Sequence, residues 1–347
     1  MSDDRERFEV AVVIGRFQPF HRGHQALLRR GLSVAAQVVV VLGSARHAPT
    51  AKNPFSAGER ESMIGATLSQ DELARVRFVP LPDFYDDAAW SQAVRASIAA
   101  FAPARSRCAL IGCSMDAPSR YMRRFPEWEF IAIAPEPGIE AKALRRALFE
   151  ADDAHAALGT LEARLPGEVA PLLAAWLDSA EFERLREEHL AIQHARATYG
   201  AGPFVTVDAI VQVAGHVLLV QRGRAPGKGL WATPGGFLEP TETLLQGALR
   251  ELEEETGLSL ELTAAERSLQ DVAVFAHPDR SLRGRTITHA HHFDLGDGAL
   301  PTVRGADDAA AAHWIPIAEL ARLEQSFFDD HFHVLAHFLA LPGLALR

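Results

Sequence analysis

Cysteine is nearly absent: the 347 residues include two, Cys108 and Cys113. Two thiols cannot build a disulfide framework, so a reducing compartment fits. No apolar run approaches the ~20 residues that a bilayer-spanning helix requires. The opening MSDDRERFEV is charged and lacks the apolar core of a signal peptide. Positive charge is also in deficit. A formal net charge of −10 argues against a surface that coats nucleic acid or an anionic membrane, and favours small-molecule work in local cationic pockets. Internal repeats and low-complexity tracts are missing as well. The expectation is a soluble, cytoplasmic protein with small-molecule partners, no nucleic acid and no membrane. A homo-oligomer is compatible with this composition but not specified by it.

Apolar residue types are plentiful. At 48% hydrophobic residues over 347 positions, the chain has material for two cores, and two domains are the better expectation. In the first half, apolar runs at Phe8–Gly15, Gln37–Gly43, Val76–Leu81, Cys108–Gly112 and Phe130–Ala134 alternate with helical patterns near Gly23–Ala36, Ser56–Leu68, Asp87–Phe101 and Ile139–Glu150. Strands alternating with helices imply right-handed crossovers and a Rossmann-like parallel sheet covered on both faces. Ala151–Tyr199 reads as a helical extension, with Pro166 and Pro171 as breakers. Gly200-Ala201-Gly202-Pro203 is the expected linker, separating domains 1–199 and 204–347. In the second half, strands fit Val205–Val213, His216–Arg222, Gln270–Ala276, Thr286–Leu295 and Ala311–Ile315, with a closing helix at Asp330–Leu341. That set predicts an α/β/α sandwich around a mixed sheet.

The most informative stretch is GFLEPTETLLQGALRELEEETGL, Gly236 to Leu258. Pro234-Gly235-Gly236 reads as a turn, and Thr241 or Thr243 can cap the helix that follows. Leu245, Ala248, Leu249 and Leu252 make one apolar stripe. Glu251, Glu254 and Glu255 share another face, where their repulsion calls for a cation; hard oxygen ligands suit Mg²⁺ or Mn²⁺. Arg250 lies four residues before Glu254 and can pair with it, and Gly257 ends the helix. A lone EExE cluster is more often a solvated helix face. Here, however, every fixed position of G-x5-E-x7-R-E-U-x-E-E-x-G-U, with U aliphatic, is filled from Gly236 through Glu242 to Leu258. The segment resembles the metal-binding helix of the Nudix hydrolases. That resemblance implies Glu251, Glu254 and Glu255 as metal ligands, Arg250 as their orienter, and Glu242 in support.

After the first strand comes GRFQPFHRGH, Gly15 to His24. It lacks the G-x-G-x-x-G of a dinucleotide-binding dehydrogenase. Pro19 stiffens the turn, and Gly23 lets backbone approach a ligand. His21 and His24 can face the free amides of a helix start, where phosphate is favoured. Two histidines around a glycine also fit simple helix capping. Placed after a first strand, this motif resembles the H-x-G-H nucleotidyltransferases, specifically NMN adenylyltransferases of the archaeal type. The likeness continues through Lys52-Asn53-Pro54-Phe55, Asp83-Phe84-Tyr85-Asp86-Asp87 with Trp90, and Arg124-Phe125-Pro126-Glu127-Trp128. It implies His21 and His24 on ATP phosphates, Arg16 nearby, and Trp90 beside the nicotinamide ring. The late I-S-x-T-x-I-R motif of that family is replaced by Ile139-Glu140-Ala141-Lys142-Ala143-Leu144-Arg145. Arg145 survives, both hydroxyls are gone, and Lys142 offers a cation in their place. The loop Gly112-Cys113-Ser114-Met115-Asp116 lacks the family's histidine and lysine.

Gly227–Gly236 and His277–Arg285 are similar to ADP-ribose pyrophosphatases fused to NMN adenylyltransferases. Arg222, Arg283 and Arg285 are the candidates to meet the diphosphate. Asp307 and Asp308 fit either a late catalytic loop or a surface turn. His289, His291 and His292 point to alternate faces of a strand, which suits filler better than a zinc site. The expected function is bifunctional: NMN plus ATP to NAD and pyrophosphate, and ADP-ribose to AMP and ribose 5-phosphate, each with Mg²⁺ or Mn²⁺. The rivals are a Nudix hydrolase with a nucleotide-binding but non-catalytic first domain, and a ligand-sensing regulator.

Overall fold

The computed structural model describes residues 8–84, 86–102, 106–113, 124–339 and 341. The chain forms two compact units, Met1–Arg186 and Glu187–Arg347.

In the first unit, β1 (Phe8–Gly15), β2 (Ala35–Leu42), β3 (Val76–Pro80), β4 (Cys108–Cys113) and β5 (Glu129–Ile133) pair in the order β3-β2-β1-β4-β5. Every pairing is parallel. The helices are α1 (Arg22–Val34), α2 (Ala57–Gly65), α3 (Gln70–Ala74), α4 (Asp87–Ala99), α5 (Ala141–Glu150), α6 (Ala154–Leu161), α7 (Ala170–Leu177) and α8 (Ala180–Tyr199). Strands buried on both faces need continuous apolar runs, and β1 supplies one. Its Ala11 and Val13 join a core with Leu28 and Leu32 of α1 and Leu144 of α5. Val10 and Val12 join a second core with Val94 and Ile98 of α4. From β1 the chain builds outward to β3 and then returns to β4 on the other side. The reversal leaves a crevice beyond the carboxyl ends of β1 and β4, where such sheets bind ligands.

The predicted strands and longer helices are present with ends shifted by at most three residues. The helical extension read over Ala151–Tyr199 is broken again between α7 and α8. Asp178 ends α7, and the Ser179 hydroxyl accepts from Phe182 N (3.2 Å) at the start of α8. The break between the compact units falls inside α8, ahead of the glycines read as a linker. Those glycines are tied into the second unit. Arg285 N donates to Ala201 O, and Phe204 N donates to Arg285 O, both at 2.7 Å.

The second unit contains β6 (Phe204–Val213), β7 (His216–Arg222), β8 (Trp231–Ala232), β9 (Gly235–Phe237), α9 (Leu244–Thr256), α10 (Leu262–Ser268), β10 (Leu269–Phe275), β11 (Thr286–Asp294), β12 (Ala309–Pro316) and α11 (His331–Phe338). The sheet runs β10-β11-β6-β7-β12, with β8 added to β7 and β9 to β6. It is mixed, because β11 and β6 are parallel and the other pairs antiparallel. One face packs on α9 through Leu252, Ala209 and Phe293. The other packs on α11 through Leu335, Ile210 and Leu219. The short β8, β9, α3 and α10 carry too little periodicity to be read from sequence.

One buried cation ties the first unit's strand ends together. Arg60 is 0% exposed, and its guanidinium donates to the carbonyls of Arg16 (2.8 Å), Gly43 (2.7 Å) and Ser56 (3.1 Å). Arg60→Met strips donors from buried carbonyls and should cost about 3 kcal/mol or more. Calorimetry should show the first unit's transition lowered by roughly 6–12 °C, with the second unit's transition unmoved.

Candidate active sites

In the first unit the site begins where β1 ends. Phe17 adopts a left-handed conformation (φ 53°), and its ring lies under Gly15, where any Cβ would come within 3.0 Å of it. That close approach is why glycine stands there. Gln18 then clamps the Asn53-Pro54-Phe55 segment: its amide donates to Phe55 O (2.8 Å) and accepts from Phe55 N (2.9 Å). His21 caps α1, with Nδ1 accepting from His24 N at 3.4 Å. The two imidazoles stack at 3.7 Å with an 18° interplanar angle.

Burial lowers the His21 pKa to about 4. Burial, then the neighbouring His21, lowers His24 well below its ordinary value, against a smaller opposing effect from the Pro19 backbone. Two stacked neutral rings at an open helix start are a poor place for protons until an anion arrives. Arg145 reaches the same loop, donating to Ala51 O (3.2 Å) and to Gln18 O. Burial and then the nearby Arg16 push its pKa down to about 10. Gly23 faces the approach to α5, where a Cβ would meet the His21 ring at 3.2 Å and Glu136 Cβ at 3.8 Å. The fold therefore brings Arg16, His21, Gly23, His24 and Arg145 together.

Trp90 packs edge-on against Phe125 (5.8 Å), which stacks on Trp128 (4.5 Å). Its visible partners are thus core aromatics. Glu140 precedes α5 without capping an amide, and Lys142 is exposed on the first turn. Tyr85 and Ser114-Met115-Asp116 lie outside the described residues. Sequence reasoning missed Gln18, Arg60 and a cluster at the ends of β2 and β3. There Ser44 Oγ donates to Asp83 (2.8 Å), and His47 Nε2 lies 3.1 Å from the same carboxylate. Burial pushes the Asp83 carboxyl up, but His47, Ser44 and Arg16 outweigh it and hold the group at about 2.

In the second unit, Thr243 caps α9 in a reciprocal capping box with Gln246, and Gly257 ends the helix at φ 69°. Arg250 organises the acidic face. Its guanidinium donates to Glu242 through two nitrogens (2.9 and 2.8 Å), to Glu251 (2.9 Å), to Glu254 (2.9 Å) and to Phe237 O (3.2 Å). Glu251 lies beneath Gly236, where a Cβ would fall 2.3 Å from its carboxylate oxygen. Glu255 turns to the other side and accepts from Gly235 N at 3.0 Å.

Helical spacing placed the three glutamates on one face. The structure divides them, because the Arg250 fork holds Glu251 and Glu254 while Glu255 turns to the neighbouring strand. Among the described residues no three carboxylate, histidine or thiol groups enclose a point as a ready-made metal cage.

Glu255 opens onto a cleft lined also by Asp208, Arg222, Thr233, Gly235 and Arg283. Arg222 lies over the Phe328 ring (4.2 Å), and Arg283 over Phe328 (5.4 Å) and Phe237 (5.5 Å). Behind them Arg280 is committed to Asp330 through two bonds (2.9 and 2.7 Å), and Thr233 Oγ1 meets His331 Nδ1 at 2.8 Å. Arg285 is a correction. It does not line the cleft, because its guanidinium donates to the Ala276 carbonyl at the end of β10. Asp308 pairs with Arg224 (2.8 Å), and neither it nor Asp307 lines the cleft. Asp208 and Asp330 also line the cleft and were missed, and Arg280 was not singled out within His277–Arg285; Asp208, in the apolar run of β6, has no motif to mark it.

The donor set fits a divalent cation. Burial, reinforced by Glu251, pushes Glu255 up to about 8 against the opposing Gly235 amide. Burial pushes Asp208 to about 7 against the pull of Arg280, and it raises Glu251 against Arg250. For Glu251 and Glu255 burial outweighs the compensation present, which a hard cation would complete at oxygen ligands.

Comparison with known proteins follows the same division. The cytidylyltransferase-like family profile matches residues 12–86, and the NUDIX domain profile matches residues 202–338. A nicotinamide/nicotinic acid mononucleotide adenylyltransferase of Acinetobacter baylyi is 33% identical over 186 residues, 53% of this chain and 95% of that protein. An ADP-ribose pyrophosphatase of Methanocaldococcus jannaschii is 36% identical over 137 residues, 40% of this chain and 73% of that protein. The chain thus joins a nucleotidyltransferase unit to a Nudix unit. A Francisella tularensis bifunctional NMN adenylyltransferase/ADP ribose pyrophosphatase, solved with AMP and a Mn ion, superposes with a TM-score of 0.88 at 31% identity, covering 96% of this chain and 99% of that one. The chain belongs to that bifunctional NMN adenylyltransferase/ADP-ribose pyrophosphatase family.

The two sites should respond to pH in opposite senses. Glu255 ionises near 4.5 when unfolded and near 8 when folded. The folded state binds the extra proton, so stability of the metal-free second unit should fall as pH rises through that window. His21 titrates near 6.5 unfolded and about 4 folded, so the first unit should lose stability as pH falls from 6.5 to 4. Calorimetry in chelator should show both slopes. Glu255→Gln should make the first shallower, with Asp208 keeping the rest, and His21→Asn, which keeps a capping side chain, should make the second shallower, with His24 keeping the rest.

Proposed function

We propose that the two sites run the two halves of a NAD economy in one chain. The first would join NMN and ATP into NAD and pyrophosphate, and the second would hydrolyse ADP-ribose to AMP and ribose 5-phosphate. The domains doing so would be residues 1–199 and 204–347, in a cytoplasmic protein. The observation that supports this most directly is the full-length likeness to the Francisella enzyme, beside the stacked His21–His24 pair and the Glu255–Gly235 contact.

In adenylyl transfer an NMN phosphate oxygen bonds to the α-phosphorus of ATP, and the bond from that phosphorus to the β-bridging oxygen breaks. Pyrophosphate leaves with the electron pair. No side-chain nucleophile is needed if both substrates are held in line. His21 and His24 would donate to phosphate oxygens, acquiring protons as the anion displaces the low-pKa state. Arg145 and Arg16 would balance the charge growing on the leaving pyrophosphate. Lys142 would replace the hydroxyl donors of the family's second helix start with a point charge.

In hydrolysis water bonds to one phosphorus of the diphosphate, and the P–O–P bridge opens. Bound Mg²⁺ or Mn²⁺ supplies charge neutralisation and an activated water. Glu251, Glu254 and Glu255 would hold it, with Arg250 fixing the first two and Gly235 the third. Gly236 keeps the backbone close enough for that arrangement. Arg222 and Arg283 would meet the diphosphate on the opposite wall, and Phe237 and Phe328 offer flat apolar surface.

The activities should separate by mutation. Glu254→Gln should lower ADP-ribose hydrolysis by about a hundredfold or more, leaving NAD formation from NMN and ATP intact. His21→Ala should do the reverse. Coupled assays of both reactions on each purified full-length variant check this. Loss of neither activity would remove the assignment.

A further inference from the structure

The hydrolase cleft contains an acceptor left without a donor among the described residues. Asp208 sits in the middle of β6 and is 5% exposed, and it lines the cleft. Its Oδ2 has no hydrogen-bond partner among the described residues. Oδ1 lies against Gly235, where a Cβ would come within 2.3 Å, and Asp208 is paired in register with that same glycine. The cations around it are engaged elsewhere. Arg280 is bound to both oxygens of Asp330, and Arg283 is drawn over Phe237 and Phe328. A buried acceptor without a donor is costly, and a fold keeps one where an arriving ligand brings the donor.

The surroundings restrict what that donor is. The cleft holds Asp208 and Asp329 together with Arg222, Arg283, Thr233 and Ser281. Acceptors, hydroxyls and cations in one cleft suit a sugar next to phosphate better than bare pyrophosphate.

We propose that Asp208 accepts a hydrogen bond from a ribose hydroxyl of the diphosphate substrate and thereby selects sugar-bearing diphosphates in this cleft. This rests on the hydrolase reading above and deepens it. Asp208 is then a specificity-determining residue, separate from the carboxylates on α9. A site built to bond a hydroxyl rejects an analogue lacking it strongly, because the buried acceptor is again left bare.

The test uses the full-length protein, its Asp208→Ala and Asp208→Asn variants, ADP-ribose, and the two ADP-ribose analogues that each lack one ribose 2-hydroxyl. Asp208→Ala should raise the KM for ADP-ribose between about ten- and a hundredfold, with kcat changed much less. Asp208→Asn, which keeps a carbonyl acceptor, should fall between the two. One deoxy analogue should show wild type and Asp208→Ala equal. Mn²⁺ binding, followed by electron paramagnetic resonance, should stay within about twofold of wild type in both variants, and calorimetry should show the second unit no less stable. An unchanged KM in Asp208→Ala overturns the proposal. So does a tenfold loss of Mn²⁺ affinity in Asp208→Asn, which would make Asp208 a cation ligand. If the wild-type chain fails to cleave ADP-ribose at all, the hydrolase reading itself is what falls.

Discussion

The second unit depends on one guanidinium being shared. Arg250 reaches three carboxylates and a carbonyl at once, and it is only a quarter exposed, so the charges act on one another with little screening. Without it, Glu251 and Glu254 on α9 and Glu242 just before the helix would repel one another. With it, two of them are fixed in direction and Glu255 is left to turn toward Gly235. The result is a polarised patch in which charge is balanced on the outer side of α9 and deficient on the cleft side. A metal-dependent hydrolase needs that imbalance at rest.

The first unit solves a related problem with the sign reversed. Its ligand is anionic, so the site must offer donors without stacking up charge before the ligand arrives. The two histidines are buried against each other and stay neutral. The permanent cations are kept at the margin, Arg145 on backbone carbonyls and Arg16 exposed. Arg60 holds the loop geometry from behind by binding the carbonyls where β1 and β2 end. Phosphate bound beside them would raise the ring pKa and let the rings take up the protons they lack at rest.

Much of this was legible in the chain. Continuous apolar runs alternating with helical periods gave the parallel sheet, and the filled box from Gly236 to Leu258 gave the acidic helix with its cap at Thr243 and its stop at Gly257. The H-x-G-H segment gave the paired histidines. What escaped has a common physical cause. Asp208 on β6, Arg280 in the loop before β11 and Asp330 at the start of α11 meet only in the tertiary fold, and local spacing holds no record of such meetings. The same blindness misplaced Arg285, whose neighbour in sequence, Arg283, does reach the cleft. Spacing on a helix also says which residues share a face, but not that an arginine will divide them.

Gly235 and Gly236 carry a consequence for how such an enzyme diversifies. A methyl group at either position would overlap a carboxylate oxygen of Asp208 or Glu251 at 2.3 Å. Both are therefore closed to ordinary mutational drift, whatever pressure acts on substrate choice. New substrate preferences in this scaffold have to be written through side chains that reach the cleft from the far wall, such as Arg222, Ser281 and Arg283. The chemistry is frozen in backbone while the selectivity stays open to change.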